Sequence, residues 1–267
     1  MFMFIGGSLV SQSSAGVVPT CCDAAFVEAA TALQCRMPQA AAPVEASSKQ
    51  RTIARLLKVA REAFSAQGLA GARVDDIARA AGVTKQLVYH YFSSKEQLFA
   101  CVLDESAEET MAALLALDFD HLAPRDALKA LLNHAFDQYR DDPALGPLAQ
   151  QGLHYHDGHA ADCRKFNDLA PALVTKLEGI LQRGVRSGDF RPGIDARLCC
   201  AAASLLTTGA FTNRYTVSGV AGFDSRSPQG MAAWREYSAN FVMAALGVDP
   251  CPSLGRPAVL DAPEGGT

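Results

Sequence analysis

The chain has 267 residues, of which 49% are hydrophobic and 19% charged, with a formal net charge of −4. That supplies ample apolar material for one large domain or two modest ones, and no global basic excess announces a nucleic-acid partner. No apolar run reaches the ~20 residues needed to span a bilayer, and eight cysteines without a C-x-x-C pair do not make a disulfide framework; a cytoplasmic protein with no membrane partner is the expectation.

Residues 1–47 are rich in Ala, Ser and Gly and hold no sustained helical period. They are expected to form a disordered leader, with translation from Met37 as the alternative. From residue 49 the period is helical. The first helix is expected over about Lys49–Gln67, where Ile53, Leu56, Leu57, Ala60 and Phe64 make one apolar stripe and Gly68 and Gly71 end it. A short helix follows in VDDIARAAG, with Val74, Ile77, Ala78 and Ala81 inward and Asp75 and Asp76 at its positive end. Gly82 turns the chain, Thr84 caps a third helix, KQLVYHYF, and Ser94 with Gln97 forms a capping box for a fourth that runs to about Leu117.

Pro124 and Asp126 open the next helix, which ends near Arg140, and Pro143 starts a short one. A long helix is expected over about Gly158–Ser187, broken or bent near Pro171, with Asp157 as its N-cap. SGDFRPGID reads as a loop, Asp195 as the cap of ARLCCAAASLLTTGAFTNRYT, VSGVAGFDSRS as a second loop, and Pro228 as the start of the last helix. The tail 248–267 has few large apolars and is expected to be disordered. The expected fold is all-α, with roughly nine helices.

Charge is unevenly spread. Residues 48–96 carry nine Lys or Arg and four acids, about +5, against about −9 for the remainder. A small basic module in an acidic protein suits an anionic partner. Residues 74–92 read as two short helices about a glycine turn, the helix-turn-helix arrangement whose second helix enters the DNA major groove. Its second helix crowds Lys85, Gln86, Tyr89, His90 and Tyr91 into under two turns. Lys and Gln bond base edges, while Tyr, His and Lys reach phosphates, and Lys95 stands where the next helix begins. The plainer alternatives are a solvated face for Lys85, Gln86 and His90, and packing on the domain for Tyr89 and Tyr91.

The stretch VDDIARAAGVTKQLVYHYFSSKEQLF resembles the DNA-binding domain of the TetR family of bacterial transcriptional regulators, closely over residues 50–103 and architecturally beyond. The resemblance implies a helix-turn-helix domain over 48–96 and a helical ligand-binding and dimerisation domain over 97–247. It implies a homodimer on a palindromic double-stranded operator, acting as a repressor released by a small-molecule effector, with no enzymatic activity and no cofactor or metal. By position it places Thr84, Lys85 and Gln86 nearest the bases, Tyr89 and His90 on the groove, and Tyr91 and Lys95 on phosphates. Where the family has Thr or Ser before the first motif helix, this chain has Arg73, which loses the cap but keeps a charge for phosphate. The last two helices, holding CCAAASLLTTGA and Trp234, Tyr237 and Phe241, are the expected dimer surface; an ordinary core pair is the alternative.

Between head and dimer surface, Phe136, Tyr139, His154, Tyr155, Phe166, Phe211 and Asn213 are candidates to line the effector site, or plain core. HYHDGH, residues 154–159, gathers three of the six histidines with Asp157, and His159 and Cys163 stand at i and i+4, half of a zinc set. A metal-dependent enzyme on the His154–Cys163 cluster is therefore one competing function, and a DNA-binding architectural protein without effector another. A polar inter-helix loop explains the cluster more simply, since His154 and His156 point to different helix faces.

Overall fold

The computed structural model describes residues 48–158 and 164–248, and of residues 156–158 and 164 the backbone alone. These residues form α1 (Ser48–Gly71), α2 (Val74–Ala80), α3 (Lys85–Phe92), α4 (Lys95–Ala116), α5 (Pro124–Asp141), α6 (Leu145–Gly158), α7 (Arg164–Ser187), α8 (Ala196–Thr212), α9 (Arg214–Ala221) and α10 (Pro228–Leu246). Among the described residues there is no strand, and one isolated antiparallel bridge joins Phe190 to Gly247. The all-α expectation holds, with ten helices among the described residues. The leader 1–47, His159, Cys163 and the tail beyond Val248 lie outside the described residues.

Local signals place most of the ends. Gly68 adopts φ 73°, a left-handed conformation that costs glycine little, so the regular part of α1 stops at Gln67 and one further turn follows the kink. Asp195 accepts the N–H groups of Arg197 and Leu198 at the start of α8, and Ser227 caps α10 ahead of Pro228.

Three expectations need correction. The helix holding HYHDG is not interrupted before Gly158: α6 runs to that residue, so Asp157 lies inside α6 and does not cap α7, which starts at Arg164. An N-cap needs non-helical backbone angles, which a residue inside a helix does not have. Pro171 lies within a continuous α7, where the ring costs one backbone hydrogen bond while the amphipathic face keeps its burial. The segment RYTVSGVA, expected to end one helix and open a loop, is α9. Asn213 ends α8 and starts α9, Val217 is buried, and Gly222 closes the helix in the left-handed conformation (φ 72°).

Two main cores divide the work. The first joins Leu56, Ala60 and Phe64 of α1, Ile77 of α2, Val88 and Phe92 of α3, Leu98, Phe99 and Val102 of α4, and Leu148 and Tyr155 of α6. The second joins Met111 and Leu114 of α4 to Leu128 and Leu131 of α5, Leu173 and Leu177 of α7, and Val242 and Met243 of α10. Helix α4 belongs to both, and its far end is tied to α7 by cations on free carbonyls: Lys176 Nζ donates to the Leu115 carbonyl (2.7 Å) and Arg183 to that of Phe119 (2.9 Å). Phe190 closes the second core against Gly184, where an added Cβ would stand 2.0 Å from the ring.

Candidate nucleic-acid interface and effector region

α2 and α3 meet through Gly82, whose φ of 65° makes the turn. Thr84 caps α3, its hydroxyl accepting the Leu87 N–H at 3.2 Å. Val88 and Phe92 fix one face of α3 in the core, which leaves Thr84, Lys85, Gln86, Tyr89 and His90 exposed on the other. Tyr89 is 40% exposed although aromatic, unlike the buried aromatics nearby. Tyr91 behaves differently: it is half-buried against the head's core, with Lys49 Nζ 5.8 Å from its ring centre.

Of the three cations expected on DNA, two are engaged within the protein. Lys95 Nζ donates to the Ala72 carbonyl at 3.4 Å, tying the start of α4 to the α1–α2 connection. Lys85 Nζ pairs with Asp75 of α2 at 3.0 Å, and the hydrogen bond with that carboxylate raises the Lys85 pKa. Arg73 precedes α2 exposed and without a side-chain cap. Of the expected capping box, Ser94 accepts the Gln97 N–H (3.0 Å), while the Gln97 side chain accepts from the Ser93 hydroxyl instead. The Lys85–Asp75 pair was invisible to sequence reasoning, because it spans the turn at no helical spacing. Asp75→Asn should release Lys85. We expect tighter binding to arbitrary duplex DNA and a salt slope steeper by about 1, read from titrations at several salt concentrations; an unchanged slope would mean Lys85 reaches no phosphate.

The head is bolted to α6. Gln151 spans the kink of α1, its Nε2 donating to the Phe64 carbonyl (3.1 Å) and its Oε1 accepting the Leu69 N–H (3.2 Å). Tyr155 packs edge-on against Phe99 and donates its hydroxyl to the Glu96 carbonyl (3.5 Å). Arg61 of α1 donates to Ser106 (3.2 Å) and pairs with Asp142.

The effector candidates therefore separate. Phe136, Tyr139 and Phe211 do come together, with ring centres 4.9 and 5.6 Å from Phe211, and burial raises the Tyr139 pKa. Phe211 and Asn213 line an open groove of about 960 Å³ between α6 and the α8–α9 corner. Tyr155 lies in the head's core; its helix turns this face toward α1 and α4. Phe166 is 51% exposed on α7 and His154 is exposed on α6, so neither joins that aromatic group. Among the described residues no group of three or more His, Cys, Asp or Glu stands close enough to hold a metal ion; His159 and Cys163 are outside them.

Residues 56–102 match the model of the "Bacterial regulatory proteins, tetR family" domain, and residues 124–242 match that of the "Tetracyclin repressor-like, C-terminal domain". The chain belongs to the TetR family. Its TetR-family relatives include the transcriptional repressor NicS of Pseudomonas putida, 29% identical over 76% of this chain and 96% of that protein. The transcriptional repressor KstR2 of Rhodococcus jostii is 27% identical over 58% of this chain and 75% of its own length. A solved transcriptional regulator from Streptomyces coelicolor superposes with a TM-score of 0.55 at 25% identity, covering 75% of this chain and 99% of the other. The TetR-family chain is thus a DNA-binding transcriptional regulator in the company of regulators.

Proposed function

We propose that this regulator is a homodimeric repressor that reads a palindromic operator through α3 and leaves it when an effector enters the helical domain. The supporting observation is the exposed crest of Lys85, Gln86, Tyr89 and His90 over the buried Val88 and Phe92. A helix end so anchored offers polar groups to base edges at little conformational cost. Arg73, Tyr91 and Lys95 serve as phosphate contacts at its margin. The reading domain comprises residues 48–96 and the effector and dimerisation domain residues 97–247. We place the protein in the cytoplasm, where its operator is; among the described residues no helix is long and apolar enough to cross a membrane.

Dimerisation falls to α8 and α10, with α9 between them in sequence. Leu198, Ala201, Ala202 and Leu205 form an exposed apolar ribbon on α8, and Phe241 and Ala245 continue the stripe of Trp234 and Tyr237 on α10. An apolar face of this length on two adjacent helices suits an isologous contact with a second copy. Trp234 Nε1 donates to the Leu206 carbonyl (2.9 Å), which holds the two helices in one surface.

Selection of bound DNA from a random pool tests the function directly. A palindromic consensus with half-sites about one helical turn apart is expected. On that DNA, Tyr89→Ala should bind at least about ten-fold more weakly, and Gln86→Ala should lose discrimination at one base position, about 1–3 kcal/mol. A pool without consensus, or both variants binding like the wild type, would overturn the assignment.

A further inference from the structure

Ala127, Leu131, His134 and Gln138 stand at i, i+4, i+7 and i+11 and make one stripe along α5. Its first two members are buried with Met111 and Leu114 of α4 and Leu173 of α7. Its last two are polar. Gln138 Nε2 donates to the Thr110 carbonyl of α4 at 3.2 Å. That bond fixes the amide, since a flipped amide would set oxygen against oxygen. The Oε1 left on the other side is buried with no partner, and so is Nε2 of His134, one turn earlier. Side chains four apart on a helix are neighbours, with Cβ atoms about 5–6 Å apart. A buried polar atom without a partner destabilises the folded chain, and two on adjacent turns call for a cause.

Helix α7 passes alongside. Lys165 pairs with Glu108 (3.0 Å) and Lys176 donates to the Leu115 carbonyl, so the α7 segment between them, with half-buried Leu169 and Ala170, runs past Thr110. Gln138 therefore faces α4, and His134 shares its face of α5, opposite Phe136 on the helix.

We propose that Gln138 Oε1 and His134 Nε2 are the polar anchor of the effector site, and that the effector is an uncharged, mostly apolar molecule carrying an N–H or O–H donor. The inference rests on the effector-responsive reading above and moves its anchor from the Phe211–Asn213 groove to this face of α5. The chemistry follows from the groups on offer. An amide oxygen only accepts, so the ligand must donate to it; an imidazole nitrogen takes a second hydrogen bond from the same polar end. Neither group carries the fixed positive charge that recognises carboxylate or phosphate, and Lys165 is already paired. Leu114, Leu131, Leu169 and Leu173, in or packed on the second core that the stripe of α5 enters through Ala127 and Leu131, suit an apolar body.

Three fluorescent probes test this on the full chain: neutral N-phenyl-1-naphthylamine, its N-methyl derivative without the donor, and anionic 8-anilino-1-naphthalenesulfonate. The neutral N–H probe should bind best, about ten-fold more tightly than the N-methyl compound. His134→Phe and Gln138→Met should each weaken the N–H probe about ten-fold and leave the N-methyl probe unmoved. His134→Phe should not lower the thermal midpoint, because it removes an unpartnered polar atom, a result that a purely structural histidine would not give. Equal affinity for the two neutral probes, stronger binding of the anionic probe, unchanged affinity in both variants, or no binding of the N–H probe would each overturn the anchor. DNA binding by the free protein reports separately. A chain that binds the N–H probe through these residues but selects no operator would fail as a regulator and keep the anchor; one that selects an operator but fails the probe tests would lose the anchor alone.

Discussion

Leu205→Glu is expected to turn the dimer into a monomer and to weaken operator binding by a hundred-fold or more. Leu205 is 73% exposed in a single chain, at the far end of the α8 ribbon, with Leu198 seven residues before it. In the proposed isologous dimer the contact holds this residue from both protomers, so one substitution places two carboxylates in a desolvated contact. Burying an unpaired charge costs several kcal/mol, and like charges facing each other add to it. The folded monomer should survive, because the side chain touches little of its own core. Losing the second head removes the linkage that makes the second half-site binding intramolecular; a hundred-fold loss is about 2.8 kcal/mol. Sedimentation gives the oligomeric state and a salt-controlled binding titration the affinity. A dimeric Leu205→Glu chain would move the interface elsewhere, and a monomer that binds operator as well as the wild type would remove the need for two heads.

The head was legible in the sequence because its signals are local. Gly68, Gly82 and Thr84 each act within one turn of themselves, and the stripe Leu56, Ala60, Phe64 needs only its own helix to be recognised. The second half depends on which faces meet, and single-chain periodicity does not carry that. Tyr155 and Phe136 look alike as aromatics on amphipathic helices, yet one seals the head and the other packs under α8. Phe166 has the same chemistry and is exposed. α9 was missed because Ser218, Gly219 and Gly222 read as turn chemistry, while its packing through buried Val217 and the Ser218–Ser225 hydrogen bond (3.0 Å) is tertiary. The signal for His134 and Gln138 was present: a histidine and a glutamine continuing an apolar stripe. Which of their atoms are buried without a partner depends on packing that the sequence does not show.

The two cores share α4, and the head also rests on α6 through Gln151 and Tyr155. Any shift of α6 against α4 must therefore be felt at the kink of α1 and at the seat of α3. In the proposed dimer that gives effector binding a physical route to the spacing of the heads, through these packed side chains.

Phe99→Ala is the substitution expected to disturb this junction most. Phe99 is 1% exposed; its ring meets Phe64 of α1 at 5.0 Å and Tyr155 of α6 at 5.4 Å, both edge-on. Three helices thus converge on one ring at the boundary of head and effector domain. Truncation to alanine removes the burial and both aromatic contacts and leaves a cavity between elements that cannot all close in, so a loss of about 3–5 kcal/mol is expected, read from denaturant unfolding. Phe99→Leu keeps much of the volume and should cost less, about 1.5 kcal/mol, leaving a folded protein in which coupling can be measured. In that variant operator affinity without effector should change less than the affinity difference that the effector produces. If Phe99→Ala lowers stability by under 1 kcal/mol, the junction is looser than the rings indicate; if Phe99→Leu keeps the full effector response, α6 and α4 signal to the head through Gln151 and Arg61 rather than through this ring.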